Sequence, residues 1–420
     1  MKILFLTQVL PYPLDAGPKV RAYYVLRHLA QHHAVTLVSF VRPTDTTAAV
    51  AHLETYCAAV HTLRMPRSKM LDAVHLLWSL LAGQPFLMAR DRSRAMVRLL
   101  TDLVGQIDFD AIHTDQLWMA PYALVAREAA ERKRNHTRPL TVLDQHNAVY
   151  LIPTRLASHE RNRLKRTLLG LEARKLARFE LLTCRQFDHV TWVTPEDHAA
   201  LQGWSTAEQG PVPKAAVIPI CVNPQDQPAL VRTAGGRRVT FLGGLHWPPN
   251  AEGIQWFVQA VWPQIHQQAP DALLTVIGKD PPPALRGETI PNLHVTGYVA
   301  DPTPLLAETA VFIVPLHAGG GMRVKILDAW MWGLPVVSTT TGAEGIKLAP
   351  AANILIADSP AAFAQAVIAL LHDAAQAEAL GQAGRAWVER HYDWHTSYRA
   401  WDQLYTAQSL PATAPVAVTV

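Results

Sequence analysis

Short aliphatic runs that end in polar residues recur along this chain, separated by stretches of helical periodicity, and this alternation restricts the fold more than any other feature. KILFLT opens the series, a Pro-, Gly- and Asp-containing loop follows, and VRAYYVLRHLAQHH places Val20, Tyr24, Leu26 and Leu29 at helical spacing before AVTLVSFV returns as a strand. Strand, glycine-bearing loop, helix, strand is a βαβ unit, and aliphatic runs this short suit strands covered on both faces of a parallel sheet. AIHTD, the helix PYALVAREAAERKR, LTVLDQHN and HVTWVT continue the pattern. In open α/β sheets ligands collect outside the carboxyl ends of the strands, so Thr7, Asp115, His146 and Thr194 are expected around one crevice.

A second alternation begins at RVTFLGG and passes through a helix AEGIQWFVQAVWPQIHQQ to ALLTVIGK, NLHVTGYV, VFIVPL and PVVSTT. With 420 residues, the chain is long enough for two cores, and 49% hydrophobic with 17% charged residues can fill both. The expected division is 1–215, a connection at 216–236, a second α/β domain at 237–390, an aromatic helix at 391–408 and a loose, uncharged tail at 409–420. Three dispersed cysteines, without a CxxC pair, imply neither a disulfide framework nor a zinc site. The N-terminal apolar run is too short for a signal segment, and Ala73 to Met88 falls short of a membrane span, so a cytoplasmic chain is expected.

The stretch from Val311 to Gly345 is the most informative. A strand leads into Gly319, Gly320 and Gly321, and a helix is expected from about Met322 to Trp332, ended by Gly333-Leu334-Pro335. Glycines at a helix start let a ligand approach the backbone, and the free N–H groups and positive dipole end there attract phosphate. Arg323 and Lys325 would sit on the first turn, where cations oppose the dipole unless an anion is bound. Asp328 is placed to reach ribose hydroxyls, although an acid on a helix is also commonly just solvated.

Taken together with LPYPLDAGPKVRAYYVLRHLA, VLDQHN, WVTPEDHAAL, VIPICVN, FLGGLHWPPNAEGIQWF, VIGKDPPP and VTGYVAD, this block resembles the retaining glycosyltransferase family 4, over nearly the whole chain and in family order. The resemblance implies the GT-B fold, two facing Rossmann-like domains with a nucleotide sugar between them. The family's two glutamates, eight positions apart, fall here on Gly320 and Asp328, giving a GGGxRxKxLDA variant. The second acid would bind the nucleotide ribose. Sugar contact would pass to the backbone from Gly320 to Arg323, so that Gly319, Gly320, Gly321, Met322, Arg323, Val324 and Lys325 form the donor-binding stretch. Gly243 and Gly244 end the first strand of the second domain without the Arg and Lys that family members carry there, and Arg323 and Lys325 are the expected replacements. The resemblance also implies that Gly278 and Lys279 border the nucleobase, and that 342–345 lies near the phosphates or base. Gly17 matches the family's glycine loop, although DAGP is also the composition of an ordinary turn. His146 matches a polar position near the transferred sugar, and Asp115 and Glu196 are further candidates.

The expected reaction is metal-independent transfer to a glycan, lipid-linked or other hydroxyl acceptor with retention of configuration, in cell-surface polysaccharide or glycolipid synthesis. It requires no cofactor beyond a UDP- or GDP-type donor as substrate. No Asp or His cluster stands at metal-ligand spacing, and DFD at 108–110 precedes a strand instead of following one. A sugar-nucleotide epimerase of the same fold would need more crevice carboxylates. A sugar-nucleotide-binding module with weakened chemistry is the other alternative, suggested by Gly320. The first loop lacks GxGxxG, against a dinucleotide enzyme. A pI near 8.9 without basic-aromatic interleaving disfavours nucleic acid. From Arg155 to Arg178 eight Lys or Arg stand against two Glu. This is either a solvated helix or, with Leu164, Leu168, Leu171 and Leu176 among Arg161, Arg163, Lys165 and Arg166, a peripheral contact with anionic membrane at the inner face of the plasma membrane.

Overall fold

The computed structural model describes the chain except residues 66–68, 134–137, 161, 206–214, 233–235, 286–289 and 407–420. The expected tail, Arg161 and part of the connection at 216–236 lie outside the described residues.

The first sheet has seven parallel strands, β1 (Lys2–Thr7), β2 (Ala34–Val41), β3 (Ala59–Arg64), β4 (Ala111–Asp115), β5 (Leu140–Gln145), β6 (His189–Trp192) and β7 (Ala215–Val217), in the order β3-β2-β1-β4-β5-β6-β7. β4 and β5 are buried at every position because helices cover both faces, which explains runs that are aliphatic without alternation. The second sheet has six, β8 (Arg238–Leu242), β9 (Leu273–Ile277), β10 (Leu293–Gly297), β11 (Thr309–Val314), β12 (Val336–Ser338) and β13 (Leu355–Ile356), in the order β10-β9-β8-β11-β12-β13. Both sheets reverse direction of winding at the same place, between β1 and β4 and between β8 and β11. Ligand crevices form at such switch points. The chain therefore has two Rossmann-like halves whose crevices are built by the loops after β1, β4 and β5 on one side and after β8 and β11 on the other.

Three helical expectations are corrected. The helix after the triple glycine covers Val324–Met331, so Arg323 precedes it instead of standing on its first turn. Its end does follow the sequence: Gly333 takes φ 71°, and the Leu334 amide donates to the Ala329 carbonyl at 2.9 Å. The expected single helix over 251–268 begins earlier and is interrupted: Pro248–Trp256 and Trp262–Gln268 flank a π-helical turn at Phe257–Val261. Pro263 lacks an N–H to continue the regular ladder, and the wider turn accommodates it. The aromatic C-terminal segment forms two short helices, Trp394–Ser397 and Arg399–Thr406, not one.

Those C-terminal helices pack on the first half. Tyr405 and His113 share a 2.7 Å hydrogen bond, His28 meets Asp402 at 2.8 Å, and the Arg21 guanidinium lies 5.0 Å from the Trp401 ring centre. Trp394, Tyr398, Trp401 and Tyr405 join one apolar core that also includes Phe5 of β1 and Trp330 of the second half.

Candidate functional site

The loop from Leu316 to Arg323 leaves β11 and enters the helix Val324–Met331. Gly319 and Gly321 adopt φ 126° and 71°, a region that disfavours side chains. Room is lacking at Gly321 as well, where a Cβ would stand 2.5 Å from the His146 carbonyl oxygen, whereas one on Gly320 would make only ordinary contact, 3.4 Å from the Asn147 Cβ. The glycine loop thus lies directly against the end of β5 in the other half. Among the described residues, none accepts a hydrogen bond from the amides of Gly320, Gly321, Met322 or Arg323. A run of amides without an acceptor at a helix start is an arrangement that favours an anion.

Arg323 is buried and turned back on the loop, donating to the carbonyls of Gly320 at 2.6 Å and Gly321 at 2.8 Å, with Glu344 3.7 Å away. Burial lowers its guanidinium to about 10. It braces the loop instead of standing free for a ligand, which corrects half of the expectation that Arg323 and Lys325 replace the absent loop cations. Lys325 fits that expectation better in place. Its Nζ donates to Asn250 Oδ1 at 2.8 Å, lies 4.5 Å from the Phe241 ring centre, and sits 2.9 Å from where a Gly243 Cβ would be. The lysine therefore reaches from the helix to the end of β8, beside Gly243 and Gly244. Burial pushes its ammonium down to about 7, and burial pushes the Asp328 carboxyl on the same helix up to about 7.

Gly278 closes on the same loop, since a Cβ there would stand 2.0 Å from the Gly243 carbonyl oxygen, and the Lys279 carbonyl accepts from the Leu245 amide at 3.0 Å. The Lys279 side chain is exposed. Met322 turns away from the crevice, its sulfur accepting from the Ile220 amide at 3.1 Å.

The opposite wall comes from the first half. A Cβ on Gly17 would lie 3.2 Å from Val324 Cγ2, so the loop after β1 touches the first residue of the helix behind the glycine loop. His146, 7% exposed, stands with its Nε2 2.8 Å from Asp115 Oδ1, yet neither ring nitrogen has an aligned hydrogen-bond partner. Asp144 is bonded by Arg21 through two 2.9 Å contacts with no exposure on either side chain. Burial disfavours the Asp144 charge, but Arg21 outweighs it and holds the carboxyl at about 2. His113 is driven to about 3 by burial and so is neutral.

Asp115, Asp144 and His146 have ligand-capable atoms within 4.8 Å of one another. The sequence reading found no such cluster because adjacent parallel strands, not local spacing, bring it together. The Arg21 guanidinium already supplies Asp144 with a positive partner.

Sequence reasoning missed Asp197 and Glu180 here, and, although it placed 342–345 near the phosphates or base, it missed the pairing of Glu344 with Arg155. Asp197, not Glu196, enters the wall: it accepts from the Ala148 amide at 2.9 Å and from Thr194 Oγ1 at 2.6 Å. The signal was present, as Thr194 caps the helix Pro195–Trp204 with the acid three residues on. Glu180 accepts from the amides of Val149 and Tyr150, and burial pushes it up to about 8. Arg155 and Glu344 meet across the two halves at 2.5 and 2.6 Å.

Residues 236–373 match the family described as glycosyl transferases group 1. An uncharacterised 44.6 kDa protein in the cps region of Klebsiella pneumoniae is 26% identical over 37% of this chain and 42% of its own length. A GDP-mannose-dependent monoacylated alpha-(1-6)-phosphatidylinositol monomannoside mannosyltransferase of Corynebacterium glutamicum is 29% identical over 31% of this chain and 38% of its own length. The chain thus spans about two fifths of the length of these curated relatives. Among solved structures, Anabaena HepE in complex with UDP and glucose aligns over 98% of this chain and 100% of its own, with a TM-score of 0.65 and 16% identity. At that identity the likeness speaks for the fold. The second half of this chain, through residues 236–373, is thus similar to the glycosyl transferases group 1 family, and the chain as a whole has the GT-B fold of two Rossmann-like halves.

Proposed function

We propose that this protein is a metal-independent, retaining glycosyltransferase of the family 4 type that uses a nucleoside diphosphate sugar. The observation that carries the reading is the row of unaccepted amides at Gly320 to Arg323, at a helix N-terminus with the Lys325 ammonium beside the neighbouring loop. Such a site stabilises the charge that develops on a departing diphosphate, the dominant requirement of glycosyl transfer. The C1–phosphate bond breaks with its electron pair going to the diphosphate. The acceptor oxygen bonds to C1 on the same face, and its proton passes to the leaving phosphate oxygen. His146, with the buried Asp115 behind it, stands opposite, where acceptor and sugar would meet, and Asp328 binds the ribose. The HepE complex with UDP and glucose, and the mannosyltransferase relative, favour a UDP- or GDP-linked hexose.

Incubation with a panel of nucleotide sugars, followed by thermal shift and slow donor hydrolysis, tests the proposal. One donor should raise the melting temperature and release its nucleoside diphosphate, and Lys325→Ala should lose both effects. A panel with no stabilising or hydrolysed member contradicts the reading.

We place the reaction in the cytoplasm, at the inner face of the plasma membrane, with a glycan or lipid-linked acceptor of cell-surface polysaccharide or glycolipid synthesis. Among the described residues no helix is long and apolar enough to cross a membrane. The helix Lys69–Ala82 leaves Met70 at 80% and Leu81 at 81% exposure. It is tied to the basic helix Arg163–Cys184 by Lys175, which donates to the Ser79 carbonyl at 3.2 Å, and that helix exposes Leu164, Leu168 and Leu171. Exposed aliphatics beside cations suit an anionic bilayer surface. Vesicles containing phosphatidylglycerol should sediment the wild-type protein but not a variant with Arg163, Lys165 and Arg166 changed to Gln, and equal sedimentation of both defeats the membrane assignment.

A further inference from the structure

We propose that Arg155 and Glu344 form an interdomain clasp that sets the glycine loop for a diphosphate, acting as positioning residues and not as ligands; the proposal rests on the donor reading above. Arg155 lies on the helix Leu151–His159 of the first half, and its guanidinium makes two contacts with the carboxylate of Glu344, at 2.5 and 2.6 Å, in the second half. The same guanidinium donates to the Gly319 carbonyl. Glu344 in turn stands 3.7 Å from Arg323, whose guanidinium holds the carbonyls of Gly320 and Gly321.

Three consecutive loop carbonyls therefore point at two arginines joined by one glutamate. In a trans peptide the carbonyl and the following N–H point in opposite directions. Turning the oxygens of Gly319, Gly320 and Gly321 towards the arginines turns the amides of Gly320, Gly321 and Met322 away from them, and these are amides without an acceptor among the described residues. The arrangement converts a glycine run, which has many conformations open to it, into a fixed concavity of donors.

Glu344 serves both ends of the chain of contacts. It fixes Arg155 by paired charge-assisted bonds and offsets the crowding of Arg155 against the buried Arg323. Because Arg155 belongs to the first half, the brace on Gly319 exists only when the two halves are together. Closure and loop geometry are the same event, so the donor phosphates are gripped in the arrangement that also brings His146 over the loop.

The test is a pair of titrations by calorimetry with the nucleoside diphosphate selected by the panel and the matching monophosphate, on wild type, Arg155→Ala, Arg155→Lys and Glu344→Gln. A charge-assisted bond lost at the loop should weaken diphosphate binding about tenfold in Arg155→Ala and Glu344→Gln. Monophosphate binding should stay within about twofold, because it reaches less of the loop, and Arg155→Lys should recover part of the loss. Glu344→Gln keeps shape and size, so it carries the test if Arg155→Ala does not fold. Equal losses for both nucleotides, or no loss for either, overturn the clasp while leaving the donor reading intact. A wild-type protein that binds no nucleoside diphosphate overturns the donor reading and the clasp with it.

Discussion

Lys325 is a cation placed where a cation is costly: on the first turn of a helix, in a buried setting that lowers its ammonium to about 7. Its charge is fully present below that value and is lost as pH rises through it. Diphosphate affinity relative to a Lys325→Arg variant, which stays charged, should therefore fall several-fold between pH 6 and pH 8.5, as measured by calorimetry in one ionic strength. A constant ratio would show that Lys325 does not face the anion. The sequence made this residue legible because a lysine at a helix start is out of place. Arg323, two positions earlier, carries the same chemical signal and does a different job, since its side chain folds back onto the carbonyls of its own loop. Composition at a helix start indicates that cations are needed there. Which of them faces the ligand depends on side-chain direction, and the sequence does not carry that.

At the scale of elements, β1, β2, β4, β8 and β9 were readable almost to the residue, because parallel strands buried on both faces stand out as unbroken aliphatic runs. The aromatic C-terminal segment was readable as a packed element but not as two helices. Asp393 caps the first of these and Tyr398 ends it, a break that the spacing of five aromatics conceals. What this segment does for the molecule follows from its contacts. Trp401 is fully buried, lies 5.3 Å from the His113 ring, and stacks near Arg21, which holds Asp144 in the crevice wall. Trp401→Ala should lower stability by about 3–5 kcal/mol, read from urea unfolding, as expected for removing a large buried aromatic. Trp401→Phe should lose less than half of that, and a wild-type midpoint for the alanine variant would mean that the segment does not hold the first half.

For the whole molecule, the two crevices at matching switch points were foreseeable from two rounds of the same alternation, and the group 1 match falls on the second of them. The contacts between halves were not foreseeable. Arg155 and Glu344 are 189 positions apart, and the Asp115–Asp144–His146 group depends on β4 and β5 being neighbours. Gly320 itself lies in ordinary contact with Asn147 of the first half, so the absence of an acid there has no steric explanation in the fold. Closure of the two halves on a diphosphate would engage the amides that have no acceptor in the glycine loop. Hydrogen exchange at the amides of Gly320, Gly321, Met322 and Arg323, measured with and without the preferred nucleoside diphosphate, is the direct test. These amides should become strongly protected on binding, together with the loop at His146 and Asn147. Nucleotide binding that leaves 320–323 exchanging at the unliganded rate would contradict it.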